Sequence, residues 1–376
     1  MNRIYGLLGT ATAVACDEPS IVNWLDEFLT PAFEVLGAGS AADFHVTIHA
    51  DPSAYARIAA KRPKGSLPPK GCFALDQEVV AHPHWTAAGR VVLDDARLGA
   101  FYALEGRRAD VFLAPDSPRA RSAAMRVVRE SASVRVLGDP DVLLLHAAAL
   151  EHRRRVIVIA GPKGSGKTTS LLYLAAASGA RILANDRALL DLGKVEIEVR
   201  GMPTVVSIRD GTLELLRLPR LHALRRTPSP SRHTLAEIEA IGADAREAAA
   251  EPFRLSPAQL AYVAGVSLSA WGRLSAILFP DARPGEDSVR LDRLSASEAA
   301  QHLQSARFGI ASAKAALTVF EELLGRKGRV EDREQHWLAE LGRRVPCFSI
   351  TIGPRAYQKS AAGIDVVERL TREAHA

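Results

Sequence analysis

Apolar positions along the first third of the chain come in short bursts. RIYGLLG, DFHVTIHA, RVVLDD and DVFLAP each have the length and pattern of a strand. SIVNWLDEFL and PRARSAAMRVVRESA instead repeat apolar residues at the helical spacing of three and four. Residues 1–135 therefore read as an N-terminal α/β domain, punctuated by the Pro/Gly-rich RPKGSLPPKG at 62–71. The pattern then changes. DVLLLHAAALEHRRRVIVIAG holds two longer apolar runs around a basic turn, which predicts a hairpin, and its second run leads straight into a glycine cluster. TTSLLYLAAASG follows as a helix. ARILANDRALLDL (180–192) reads as a short buried strand ending at Asn185-Asp186, and RLSAILFPD (273–281) as another ending at Asp281. Residues 136–290 thus form an α/β core. In 291–376, RLDRLSASEAAQHLQSA, ASAKAALTVFEELLG and VEDREQHWLAELGRR carry helical spacing, and PCFSITIG predicts a final strand, giving a helical C-terminal part.

Composition narrows this picture only a little. The chain has 376 residues, 47% hydrophobic and 24% charged, the balance of an ordinary globular protein with room for two or three domains. A net charge of +5 favours acidic partners weakly, and no interleaving of basic and aromatic residues points to nucleic acid. No segment has the roughly twenty apolar residues of a membrane helix. The start, MNRIYGLLGTATAVAC, imitates a lipoprotein signal, but Gly6, Gly9 and several threonines dilute its apolar run, so a first strand is expected there. Cys16, Cys72 and Cys347 are scattered and odd in number, which suggests neither a disulfide framework nor a zinc knuckle.

The chemistry begins at Gly161-Pro162-Lys163-Gly164-Ser165-Gly166-Lys167-Thr168, a full match to G-x-x-x-x-G-K-[ST] between an expected strand and an expected helix. Glycines allow successive backbone N–H groups to turn toward phosphate oxygens, and the helix N-terminus adds its partial positive charge. Lys167 is expected to bridge the β- and γ-phosphates, with Thr168 holding magnesium through its hydroxyl. ATP and Mg2+ are therefore the expected ligands, and a nucleotide site argues for the cytoplasm.

Such a loop needs a carboxylate at the end of a neighbouring strand, and Asp186 and Asp281 both qualify by pattern. Neither follows the four-apolar-then-Asp-Glu pattern of a motor ATPase. Asp186 comes about twenty residues after Lys167, a position suited to delivering the γ-phosphate to an acceptor near the loop. Its bland alternative is a polar residue closing a strand.

The run LLLHAAALEHRRRVIVIAGPKGSGKTTSLLYLAAASGARILANDRALL, with IEVRGMP (197–203) beyond it, resembles the core of the HPr kinase/phosphorylase family and its related serine kinases, including those found beside peptide-modification systems. The resemblance covers roughly residues 143–205. It implies a P-loop kinase core of HPr-kinase/PEP-carboxykinase-like type and transfer of the γ-phosphate to a Ser/Thr hydroxyl on a protein or ribosomal peptide. Carried over by position, it makes His146 the strand histidine, Asn185 and Asp186 the paired aspartates, and Glu198 and Arg200 the Glu-x-Arg pair. Asp186, Lys167, His146 and Arg200 are then the implied catalytic residues. Thr168, Asn185, Asp186 and Glu198 are the implied metal ligands, and residues 161–168 with Thr169 bind the nucleotide. The family's second aspartate takes the proton of the acceptor serine. Two positions depart from the pattern. Asn185 stands in place of a carboxylate, and Thr169 stands where an acidic residue usually follows the loop.

Alternatives stay open at this stage: a small-molecule kinase on the same core, or a non-catalytic nucleotide-binding regulator. Glu198 and Arg200 alone read equally well as a solvent-facing pair at strand period two, and His146 alone as a core histidine. The segment LRLPRLHALRRTPSPSRHT (216–234), with Arg217, Arg220, Arg225, Arg226 and Arg232, is either a solvated loop or a basic lid. His45 and His49 fall on one strand face, His82 and His84 in an expected turn, and neither pair has a third ligand nearby. The 1–135 domain is the candidate acceptor-binding element, and a homo-oligomer is compatible with the sequence.

Overall fold

A computed structural model describes the chain except residues 76–77, 140, 217–219, 221–223, 226, 228, 241–252, 282–287, 307–329 and 373–376. It is a mixed α/β protein whose described residues form two compact units, one within 1–139 and one within 141–306 and 330–372. The predicted helix ASAKAALTVFEELLG lies outside the described residues.

In the first unit the initial apolar run folds as the hairpin β1 (Asn2–Leu7) and β2 (Thr10–Cys16). Helix α1 (Pro19–Leu29) follows, opened by Pro19 and by the Glu18 side chain accepting from the Ser20 N–H at 3.0 Å. Next come β3 (Glu34–Leu36), β4 (Phe44–His49), α2 (Pro52–Ala59), β5 (Pro69–Leu75), β6 (Glu78–Ala87), β7 (Arg90–Asp95), β8 (Ala100–Glu105), β9 (Arg108–Leu113) and α3 (Ala120–Gly138). The strands form one sheet in the order β3-β1-β2-β4-β9-β8-β7-β6-β5, parallel only at β2–β4 and β4–β9. Helix α3 lies against β2, β4 and β9, where the Thr12 and Ser131 hydroxyls share a buried hydrogen bond of 2.9 Å. His82 and His84, expected in a turn, are inside β6. Pro83 between them is accommodated by pairing with Pro69 near the start of the edge strand β5.

The second unit contains the glycine cluster. Strands β10 (Val142–His152) and β11 (Arg155–Ala160) make the predicted hairpin, and α4 (Lys167–Ser178) follows the loop. The run 180–192 is two strands, β12 (Arg181–Ala184) and β13 (Arg187–Asp191), with Asn185-Asp186 at the break between them rather than at the end of one strand. Then come β14 (Glu198–Gly201), β15 (Val206–Ile208), α5 (Asp210–Leu216), β16 (Phe253–Leu255), β17 (Trp271–Asp281), β18 (Val289–Arg293) and β19 (Cys347–Ile352). β19 pairs in parallel with β17 and antiparallel with β18. The C-terminal part expected over 291–376 therefore does not stand apart. Its predicted final strand is built into the sheet of this unit, and the helix Ser360–Arg372, which the apolar spacing did not reveal, packs on α4.

The continuous apolar run of β11 has a direct cause. Ile157 and Ile159 join one apolar layer, with α4 and the helices Pro257–Ala264 and Ser360–Arg372. Val156, Val158 and Ala160 join another, with the helices Ala296–Ser305 and Val330–Arg344. A strand covered by helices on both faces has no polar side to show. β11 and β17 run parallel, with Ile159 opposite Leu278, so the loop after β11 and the end of β17 emerge at the same edge. The Arg-rich segment is not fully solvated where it is described, since Leu224, Thr227, Pro230 and Ser231 are buried. Arg217 and Arg226 lie outside the described residues, and Arg220 sits 5.1 Å over the Tyr262 ring. Among the described residues no helix is long and apolar enough to cross a membrane.

Candidate functional site

The glycine cluster forms a tight loop between β11 and α4. Gly161, Gly164 and Gly166 hold φ of 148°, 89° and 94°, a region L side chains rarely enter. Nothing lies within 4 Å of where a Cβ on Gly164 would stand, so that backbone faces open space. The Ser165 hydroxyl is buried with no hydrogen-bond partner, an acceptor and donor still to be satisfied. Gly166 caps α4, leaving the first N–H groups of that helix directed at the loop. Pro162, Lys163 and Gly164 are exposed at its crest.

Lys167 begins α4 with its side chain turned back over this loop. Its Nζ donates to the carbonyls of Gly161 at 2.8 Å and Pro162 at 3.0 Å. Burial pulls its ammonium below the ordinary lysine range, and the negative charge of Asp186 opposes that shift. Thr168 is half-buried in the first turn of the helix. Thr169 is tied by its hydroxyl to that of Thr212 on α5, at 2.9 Å.

Asp186 reaches this neighbourhood through an irregularity in the sheet. β12 and β13 both pair with β10, and between Leu150↔Ile182 and Ala149↔Ala184 the register slips by the extra residue Leu183. This bulge switches faces: Ile182 belongs to one apolar layer and Ala184 to the other. Two residues on, the ladder is interrupted at Asn185-Asp186 and resumes with Arg187 opposite His146. The His146 Nε2–H thereby donates to Asp186 Oδ1 at 2.8 Å, and Arg187 Nε lies 3.9 Å from Oδ2. Burial alone would push the Asp186 carboxyl up. The His146 hydrogen bond, and the charges of His146, Arg187 and Lys167, outweigh it and hold the group below the usual carboxylate range. Of the residues singled out in the sequence, then, His146 and Lys167 both act on Asp186. The signal for His146 was the family resemblance; its geometric partner could not be read from spacing.

The other implied ligands are disposed differently. Asn185 is buried, and its Nδ2 donates to the Thr204 carbonyl at 3.3 Å and hydroxyl at 3.2 Å. Glu198 and Arg200 face each other on β14, with Arg200 Nε donating to Glu198 Oε1 at 2.7 Å and Lys194 Nζ to Oε2 at 2.8 Å. Glu198 pairs with Asp191 at the far end of β13, while Asp186 precedes the near end. That places Glu198 roughly 16 Å along the strand from Asp186 at about 3.3 Å per residue, whereas Arg200 stands opposite Leu189, three residues from Asp186. Asp281 closes β17 at the edge where the loop emerges, next to Pro280, whose Cβ would be 4.0 Å from a Cβ on Gly166.

Sequence reasoning missed Arg187, Thr204 and Thr212. Arg187 had a signal, a basic residue set inside the apolar run LANDRALL; Thr204 and Thr212 had none. Gly201 holds β14 close to the bulge, since a Cβ there would stand 1.9 Å from the Leu183 carbonyl oxygen. The histidine pairs elsewhere have other tasks. His49 Nε2 meets Asp110 at 2.9 Å with its ring stacked on Phe112, and the His84 Nδ1–H donates to the Pro68 carbonyl at 2.8 Å. Among the described residues no three His, Cys, Asp or Glu side chains gather as a metal cage.

Compared with known proteins, the chain matches no protein-family model and no curated protein sequence. Its functional reading therefore rests on the site itself.

Proposed function

We propose that this protein is an ATP-dependent phosphotransferase of the HPr kinase-like kind, moving the γ-phosphate to a Ser/Thr hydroxyl of a protein or peptide. One observation carries the reading: a carboxylate, Asp186, hydrogen-bonded by His146 and held ionised, within electrostatic reach of the lysine that opens α4 behind a left-handed glycine loop.

The residues fit a polyphosphate. The open backbone at Gly164, the unsatisfied Ser165 hydroxyl and the start of α4, whose cap Gly166 has no side chain, all offer hydrogen-bond donors to anionic oxygens. Lys167, resting on two loop carbonyls, has to exchange them for phosphate oxygens, a short swing of a flexible stem. A magnesium ion would be held by the Thr168 hydroxyl together with phosphate oxygens and water, and would supply charge neutralisation at the phosphates. The absence of a three-residue cage among the described residues suits an ion that takes most of its ligands from phosphate and water.

Phosphoryl transfer asks a protein for positioning and charge rather than covalent help. The loop amides and Lys167 fix the phosphates. Asp186 Oδ2 accepts the proton of the acceptor hydroxyl as its oxygen bonds to the γ-phosphorus and the bond to the bridging oxygen of ADP breaks. His146 keeps Oδ1 engaged, so one oxygen of the carboxylate is left for the acceptor. A regulator without transfer chemistry is favoured by a single feature, the engagement of Asn185 by Thr204 where a second acid would stand. One experiment separates the two: γ-labelled ATP with a Ser/Thr peptide library, comparing wild type with Asp186→Asn. Label in peptide, lost by about 100-fold or more in the variant, supports the kinase. Nucleotide binding without transfer by wild type would sink it.

A further inference from the structure

Arg187 is the guanidinium that the structure sets beside Asp186. Its side chain is 9% exposed, with Nε 3.9 Å from Asp186 Oδ2. The backbone that carries it is pinned on both sides. It pairs with His146 across β10, and its carbonyl accepts the Met202 N–H at 2.9 Å. Arg200, the arginine of the expected Glu-x-Arg pair, is bound to Glu198 at 2.7 Å and stands opposite Leu189.

The two contacts on Asp186 differ in kind. His146 Nε2, at 2.8 Å, occupies Oδ1 with a hydrogen bond. A separation of 3.9 Å is beyond hydrogen-bond reach, so Arg187 attracts Oδ2 without filling its lone pairs. The terminal torsion of an aspartate is broad and two-fold. One hydrogen bond on Oδ1 leaves the carboxylate free to swing about that contact, and a fixed charge on the Oδ2 side removes the swing.

We infer that Arg187 is a positioning residue for the transfer reaction: with His146 it holds the Asp186 carboxylate in one orientation and leaves Oδ2 to the acceptor hydroxyl. This rests on the phosphotransferase reading above. Arg187 acts on the acceptor side, through Asp186, and not on the nucleotide.

The test uses the full chain, the Ser/Thr peptide library with γ-labelled ATP, and a non-hydrolysable ATP analogue for equilibrium binding. Arg187→Gln should lower kcat by about 100-fold, the effect of a reacting group misplaced by an ångström, with Kd for the analogue unchanged. Arg187→Lys keeps a positive charge without the planar fork and should retain a rate between the two, which keeps the test valid should the Gln variant fail to fold. In an Asp186→Asn background neither change should slow the protein further, because their effect passes through the carboxylate. Losses that add in that background, or a weakened Kd that accounts for the loss, would overturn the inference while leaving the kinase reading intact. No transfer by wild type would overturn both.

Discussion

Gly201→Ala tests the link between the sheet and the site most directly. A Cβ at position 201 would stand 1.9 Å from the Leu183 carbonyl oxygen and 3.0 Å from its carbon. Ordinary carbon–oxygen contacts close at about 3.3 Å, so the overlap is roughly 1.4 Å. Both partners are main chain, so no side-chain rotation relieves it. β14 is held by β13 on one side and β17 on the other, and Leu183 is the bulged residue of β12. Overpacking a core by a methylene costs about 1–3 kcal/mol, and a rigid clash of this size belongs at or above the top of that range. The expected loss is thus about 3 kcal/mol, read as a drop in the midpoint of denaturant unfolding at unchanged slope. Gly164→Ala is the control: its Cβ meets nothing within 4 Å, so only the left-handed φ of 89° penalises it, by about 1–2 kcal/mol. Displacing Leu183 also moves Asn185-Asp186, two residues on, so transfer to the Ser/Thr peptide library should fall in the folded fraction of Gly201→Ala. A Gly201→Ala protein as stable as wild type would refute the reasoning.

Four further outcomes are expected. Asp95→Ala removes the carboxylate that faces Arg126 at 3.1 Å with both side chains buried, and should cost about 3–5 kcal/mol in denaturant unfolding. Asp94→Ala, which breaks the exposed Arg62 pair, should cost about 1 kcal/mol or less. Thr204→Val takes one of the two partners from the Asn185 Nδ2 and should lower stability by about 1 kcal/mol, with nucleotide affinity unchanged by equilibrium titration. The folded-state depression of Asp186 contributes stability that is present above the unfolded value and lost as pH falls through the folded one, below about pH 4. His146→Ala removes the leading cause of that depression, so unfolding midpoints measured down through this window should fall less steeply than in wild type.

Much of the fold was legible because it follows from local rules. Apolar runs with glycine or basic turns marked β10, β11 and the loop before α4, and helical spacing marked α1, α3 and α4. What was not legible depends on partners distant in sequence. PCFSITIG was read as a strand, yet nothing local says that it pairs with residues 277–281, which lie seventy positions earlier. RGMP was read as part of a motif, whereas the reason for its glycine is a carbonyl eighteen residues upstream.

The break at Asn185-Asp186 shows why a correct residue can be found with the wrong local structure around it. Read as one regular strand, 180–192 would put Ile182, Ala184 and Asp186 on a single face by the period of two, burying the carboxylate with the alanine and isoleucine. A shift of one residue exchanges the faces of everything downstream. The bulge at Leu183 supplies that shift: Ile182 and Ala184 enter opposite layers, and the chain that follows meets β10 again only at Arg187. The interruption gives Asp186 a backbone not bound to the ladder and lets it turn to His146 and toward Lys167. The same pairing carries Arg187 in beside it and leaves Glu198, opposite Asp191, at the far end of the next strand. Charge around the carboxylate is thus set by register. That is why spacing could identify Asp186 but not the arginine beside it, Arg187.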